Sequence, residues 1–177
     1  MALTSLLRSR RFAARQAEAT RKLILFHLQQ ERFALPLDAV QKVVILSDIY
    51  SDPQSPNVIL TGYQDKKIVL LDVGHQVFGS TPSQYLYLKA YLDQDDTNKS
   101  QLAQLQQHLL IVQNSAGKVA GLPINGQPSL QRVPESSFVA VPFDYVFGGK
   151  MQCLSSVMVK TESETLFLLD PEQLVEV

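Results

Sequence analysis

Two aspartates end matching apolar runs, and they are the first residues that could do chemistry: Leu70-Leu71-Asp72-Val73-Gly74 and Leu168-Leu169-Asp170-Pro171-Glu172. Paired carboxylates that share one proton are the machinery of aspartic-type hydrolysis. Such enzymes follow each Asp with a hydroxyl residue and a glycine, but Val73 and Pro171 occupy the hydroxyl places here. Helix capping accounts for both aspartates better. Asp170-Pro171-Glu172 has the order of an N-cap, a proline at the first helical position and an acid in the first turn. Asp72 likewise precedes a short turn or helix that closes at Gly79. A hydrolase using Asp72 and Asp170 stays only as the alternative.

The remaining chemistry-bearing residues are isolated. Cys153 is the one cysteine, so an internal disulfide and any Cys-pair metal motif are excluded. It lies beside Met151 and Leu154, where a lone thiol is packed and inert. His27, His75 and His108 have no partners at ligand spacing. Asp93, Asp95 and Asp96 lack the glycine and distal glutamate of a calcium loop and read as a solvated face. Gly148-Gly149-Lys150 lacks phosphate-loop spacing, and no Gly-x-Ser-x-Gly elbow occurs. The chain is therefore expected to be no enzyme, with no catalytic residues, no metal and no cofactor.

The 177 residues are 45% hydrophobic, ample for a core. Formal net charge is −1, but residues 1–22 hold six cations against the single anion Glu18, and the rest holds ten cations against sixteen anions. An acidic body argues against nucleic-acid binding. No apolar run approaches the roughly 18 residues of a membrane span, so a cytoplasmic protein is expected. Within 1–21, Leu3, Leu6, Leu7, Ala14 and Ala17 fall on one helical arc, while Arg8, Arg11 and Arg15 fall on another. This basic tail or helix either lies solvated or contacts an anionic membrane or a partner.

From Leu23 onward, short β-like runs separated by turns predict a mainly β chain. Strands are expected at Leu23–Leu28, Arg32–Leu37, Val40–Leu46, Ile68–Leu71, Leu109–Gln113, Lys118–Ile124, Val157–Val159 and Leu166–Leu169. Loops are expected at Asp52–Pro56 and Val133–Pro142. Pro36 and Pro123, inside strand-like runs, suggest edges or bulges. Residues 80–107 read as a linker with a short helix around Tyr85–Leu92.

The chain also repeats itself. At offset 87, Leu23-Ile24-Leu25 matches Leu110-Ile111-Val112, and Ala34-Leu35-Pro36-Leu37-Asp38-Ala39 matches Gly121-Leu122-Pro123-Ile124-Asn125-Gly126. At offset 98, Ile68-Val69-Leu70-Leu71-Asp72 answers Leu166-Phe167-Leu168-Leu169-Asp170. Three matches in one order argue for duplication, with two small β units sharing apolar surface.

Glu31-Arg32-Phe33-Ala34-Leu35-Pro36-Leu37-Asp38-Ala39-Val40-Gln41-Lys42-Val43 resembles the start of the CheW family of chemotaxis coupling proteins. Ile68–Asp72, Gly117–Gly126 and Leu166–Leu174 resemble later segments of that family in the same order. The resemblance implies two five-stranded SH3-like β-barrels on a shared core, at 22–79 and 108–177, with short helices and the extra basic N-terminal helix. It implies a non-enzymatic adaptor between the regulatory domain of a CheA-type histidine kinase and the cytoplasmic tip of a methyl-accepting chemoreceptor. The long 80–107 linker and basic tail would suit a system-specific member, such as a twitching or pilus-motility adaptor.

Carried over residue by residue, the receptor-groove position falls on Val40, Gln41 and Lys42, where the family often has an acid in place of Lys42. Counting back from Asp72 puts the family's Arg-Gly on Gln64 and Asp65, so the acid–Arg pair would become Lys42 with Asp65. A close variant is a kinase-binding member that has lost receptor coupling.

Overall fold

The computed structural model describes residues 17–79, 88–90, 92, 107–146 and 152–176. The first half supplies β1 (Thr20–Leu28), β2 (Glu31–Pro36), β3 (Val40–Ile45), β4 (Tyr50–Ser51), β5 (Ile59–Tyr63), β6 (Lys66–Leu70) and α1 (Val73–Phe78). The second half supplies β7 (His108–Gln113), β8 (Val119–Pro134), β9 (Phe138–Ala140), α2 (Phe143–Val146), β10 (Leu154–Lys160), β11 (Thr165–Leu169) and α3 (Pro171–Val175). The chain is mainly β, as its turn-punctuated pattern predicts.

Strand pairing crosses between the two copies of the repeat. The β7 hairpin with the start of β8 joins the first half, since β3 pairs β7 and β6 runs parallel to β8. In return the β1–β2 hairpin joins the second half, where β1 pairs the end of β8 and β2 runs parallel to β11. We call the resulting strand sets lobe I (β3–β7 and the start of β8) and lobe II (β1, β2, the end of β8 and β9–β11). The two parallel pairings, Val69↔Ala120 with Leu70↔Gly121 and Phe167↔Phe33 with Leu168↔Ala34, are related by the sequence offsets of 98 and 87.

The first strand of the repeat is shifted by one residue from the ungapped match. Leu25 pairs Ala34, whereas Ile111 pairs Gly121, so β1 corresponds to β7 at offset 86 and β2 to β8 at 87. The cause is the turn. Gln29-Gln30 closes the first hairpin, while Ser115-Ala116-Gly117 closes the second over the Asn114 N–H to Lys118 carbonyl bond of 3.1 Å. Because side chains alternate, a one-residue slip would exchange the two faces of the strand.

Burial follows the corrected offset. Leu23 and Leu25 belong to the interior cluster of lobe II, and their counterparts Leu109 and Ile111 belong to that of lobe I. The alternate residues Ile24, Phe26, Leu28, Leu110 and Val112 lie in a central cluster between the lobes. Strands buried on both faces must be apolar throughout, and this explains the unbroken runs at 23–26 and 109–112. Phe33 sits at the aromatic heart of the central cluster, edge-on to Phe78 at 5.7 Å and near Phe167 at 6.0 Å. Gly121 has no room for a side chain, since a Cβ would stand 2.9 Å from Leu70 Cδ2.

Several expectations need amendment. The stretch 133–142 is no plain loop, because β8 runs to Pro134, a 3-10 turn follows at Glu135–Ser137, and β9 begins at Phe138. The second half of β8, Gln127-Pro128-Ser129-Leu130-Gln131-Arg132, is polar because it pairs only β1 and is largely exposed. Pro36 ends β2, and Pro123 lies beyond the Ala120-Gly121 pairing with β6, so neither interrupts a ladder. Residues 88–90 and 92 are helical, within the helix expected around Tyr85–Leu92, and Leu88 is wholly buried in the lobe I interior. The N-terminal basic helix expected within residues 1–21 lies, up to residue 16, outside the described residues.

Candidate functional site

The two suspect aspartates are helix caps. Asp72 Oδ1 accepts the His75 N–H at 3.1 Å at the start of α1. Asp170 accepts the Glu172 N–H and the Gln173 side-chain amide, both at 3.0 Å, at the start of α3. Each carboxylate serves its own helix, which removes the hydrolase alternative. Cys153 is half-buried, and burial followed by the charge of Asp170 pushes its thiol up, away from the reactive thiolate. Among the described residues no cluster of His, Cys, Asp or Glu could hold a metal, and no helix is long and apolar enough to cross a membrane.

The residues expected at a docking groove lie on β3 and on the β5–β6 turn. Val40 is half-buried against the central cluster, where it pairs Val112. The register then shifts, leaving Gln41 as a bulge before Lys42 pairs Ile111. Gln41 bridges two elements, donating to the Gln113 side chain and accepting from Tyr63 Oη at 3.5 Å. Gln64 and Asp65 are the central residues of the two-residue turn between Tyr63 and Lys66, at φ 48° and 60°. A primed hairpin turn requires positive φ at both positions. Lys42 and Asp65 are both exposed and do not form the expected ion pair; among the described residues the ion pairs are Arg21–Glu135 and Arg32–Glu164.

The structure adds residues to this surface. Beyond the bulge, Val43 pairs Leu110 and Ile45 pairs His108. Directly paired residues share a face, so Val43 continues the central core outward along β3. Val43 is 38% and Ile45 46% exposed, unusual for aliphatic residues at alternate positions on one face. Tyr50 on β4 is also exposed, with Lys67 Nζ 4.8 Å from its ring centre. The repeat counterpart of Val43 is Leu130, which pairs Ile24 and is 59% exposed. In the sequence this strip is hidden inside Val40–Leu46, since the Gln41 bulge changes which side chains face outward.

A family model described as CheW-like domain matches residues 22–177. In fold the chain is similar to scaffolding protein TtCheW from Thermoanaerobacter tengcongensis, with a TM-score of 0.61 and 21% identity over 90% of this chain and 94% of that one. A search of curated proteins finds no match.

Proposed function

Because the chain belongs to the CheW-like domain family, we propose that it couples a methyl-accepting-type chemoreceptor to a CheA-type histidine kinase. It is a chemotaxis-type scaffold and not an enzyme. We assign its work to the cytoplasm, where the receptor's helical tip and the kinase's regulatory domain would meet it, in a chemotaxis or pilus-motility pathway.

The observation that carries this reading is the exposed strip Val43–Ile45, continuous through Leu110 with the central core. An amphipathic helix docks by laying its apolar face into such a surface. On β3 the half-buried Val40 and the polar Gln41 and Lys42 precede the strip, and the Tyr63 hydroxyl donates to Gln41 from the hairpin whose turn carries Gln64 and Asp65. Val43→Glu and Ile45→Glu should weaken binding of a receptor-tip fragment at least tenfold. Kinase-domain binding should survive, and stability should change by no more than about 0.5 kcal/mol, as for surface changes generally. Calorimetry with the two purified partners reads both effects, and unchanged tip binding would remove the strip from the interface.

A second reading has one specific observation in its favour. Lys42 stands at the family's acidic position without an ion pair to Asp65, which suits a member that binds the kinase alone. Kinase-domain binding with no measurable tip binding by the unaltered protein would select it.

A further inference from the structure

The two lobe interiors are built from equivalent strands but close differently. Lobe I contains Leu23's counterpart Leu109, Leu168's counterpart Leu70, and in addition Leu88, from the helical residues that precede β7. Leu92, four residues on, packs against the same cluster. Among the described residues, lobe II contains no such addition, since each member of its interior comes from β1, β2, β8, β10 or β11. At Leu23 and Leu168 it borders instead a crevice of about 930 Å³.

That crevice lies where the chain enters β1, since Thr20, Arg21 and Lys22 line it. The entry is anchored to the 3-10 turn that follows β8. The Ala19 carbonyl accepts the Glu135 N–H at 2.9 Å, and Glu18 accepts the Ser136 N–H at 3.0 Å. Hydrogen bonds from Ser136 hold the Glu18 carboxyl below its usual range. Seventeen residues precede this anchor, and they carry Leu3 and Leu7 at the spacing of Leu88 and Leu92. Leu7 stands fifteen residues before Lys22, and Leu92 stands sixteen before its counterpart His108. The charges of the crevice balance, Asp38 and Glu172 against Arg21 and Lys22, and both Glu172 oxygens accept from Ser115, so the lining left for an apolar segment is Leu37, Ala39 and Phe138.

We infer that the crevice is the seat of this chain's own N-terminal segment, with Leu3 and Leu7 serving lobe II as Leu88 and Leu92 serve lobe I. The segment that leads into each copy's first strand thus covers the lobe that receives that strand. Part of the basic tail is then an internal element of the fold and not an arm for lipid.

A nitroxide on Arg8→Cys in the full-length chain, with Cys153→Ser to leave one thiol, tests the seat by paramagnetic broadening. Broadening should concentrate on the amides of Thr20–Leu23, Asp38 and Ser115, and disappear with Leu3→Asp and Leu7→Asp. Uniform broadening, or none, overturns the inference. So does broadening seen only between labelled and unlabelled copies, which assigns the crevice to a second molecule. Broadening that appears only with phosphatidylglycerol vesicles likewise overturns it in favour of lipid. If Cys153→Ser fails to fold, hydrogen exchange on the otherwise native chain decides. Leu3→Asp with Leu7→Asp should speed exchange at Thr20–Leu23 on the order of tenfold, as expected when a buried leucine is lost, and no change overturns the inference.

Discussion

At the scale of single residues, the aspartates show how a catalytic pattern and a capping pattern separate by experiment. Asp72→Ala should cost about 1 kcal/mol through loss of the bond to the His75 N–H, whereas Asp72→Asn, also a good cap, should cost little. Urea unfolding of both variants checks this, and equal losses would assign Asp72 another role. Cys153 gives a pH dependence of definite sign. Its thiol is held neutral by burial and by Asp170, so in the folded chain it ionises at higher pH than in the unfolded chain. The stability it contributes is present in full below the unfolded value, near pH 8.5, and is lost as pH rises through the folded one. The advantage of the natural protein over Cys153→Ala in thermal unfolding should therefore shrink above about pH 8.5. A difference that stays constant with pH would mean the thiol is not held neutral. Both side chains were legible in the sequence as structural, because the caps have a sequence order and the lone cysteine has apolar neighbours. The Lys42–Asp65 pair was not, since an ion pair depends on side-chain placement that spacing along a strand does not determine.

Elements were read most accurately where both faces are buried. The apolar stretches that became β1, β7 and β11 had no alternation to misread, and their ends agree with the sequence within a few residues. What escaped was the second half of β8, β5 and the outward strip of β3. β8 continues through a polar stretch because Gly126, at φ 69°, lets the strand bend from one lobe to the other. The β3 strip depends on a bulge, which shifts the parity of every later side chain. The linker helix is a structural element of lobe I through Leu88. Leu88→Ala should destabilise the protein by about 2–5 kcal/mol, the usual cost of truncating a wholly buried leucine. Chemical denaturation would measure this, and a loss under 1 kcal/mol would show that lobe I closes without the helix.

For the whole molecule, the exchanged hairpins decide what can come apart. Each lobe contains strands from both halves, so neither half holds a complete set of pairing partners. A protease site placed between 96 and 100 and then cut should leave two chains that co-elute in native buffer and separate only in denaturant. Separation without denaturant would mean that each half folds on its own pairings. The repeat was visible in the sequence, but the exchange was not, because apolar runs show that a strand is buried without showing beside which neighbour. The chain passes between lobes twice, once at Leu37–Ala39 and once at Asn125–Gly126, in related positions of the two copies. Rotating one lobe against the other would have to bend the chain at both passages together and shear the central cluster packed between them, so the angle between docking faces is held as by two opposed dowels. Such a body relays a tilt or displacement from one bound partner to another without absorbing it.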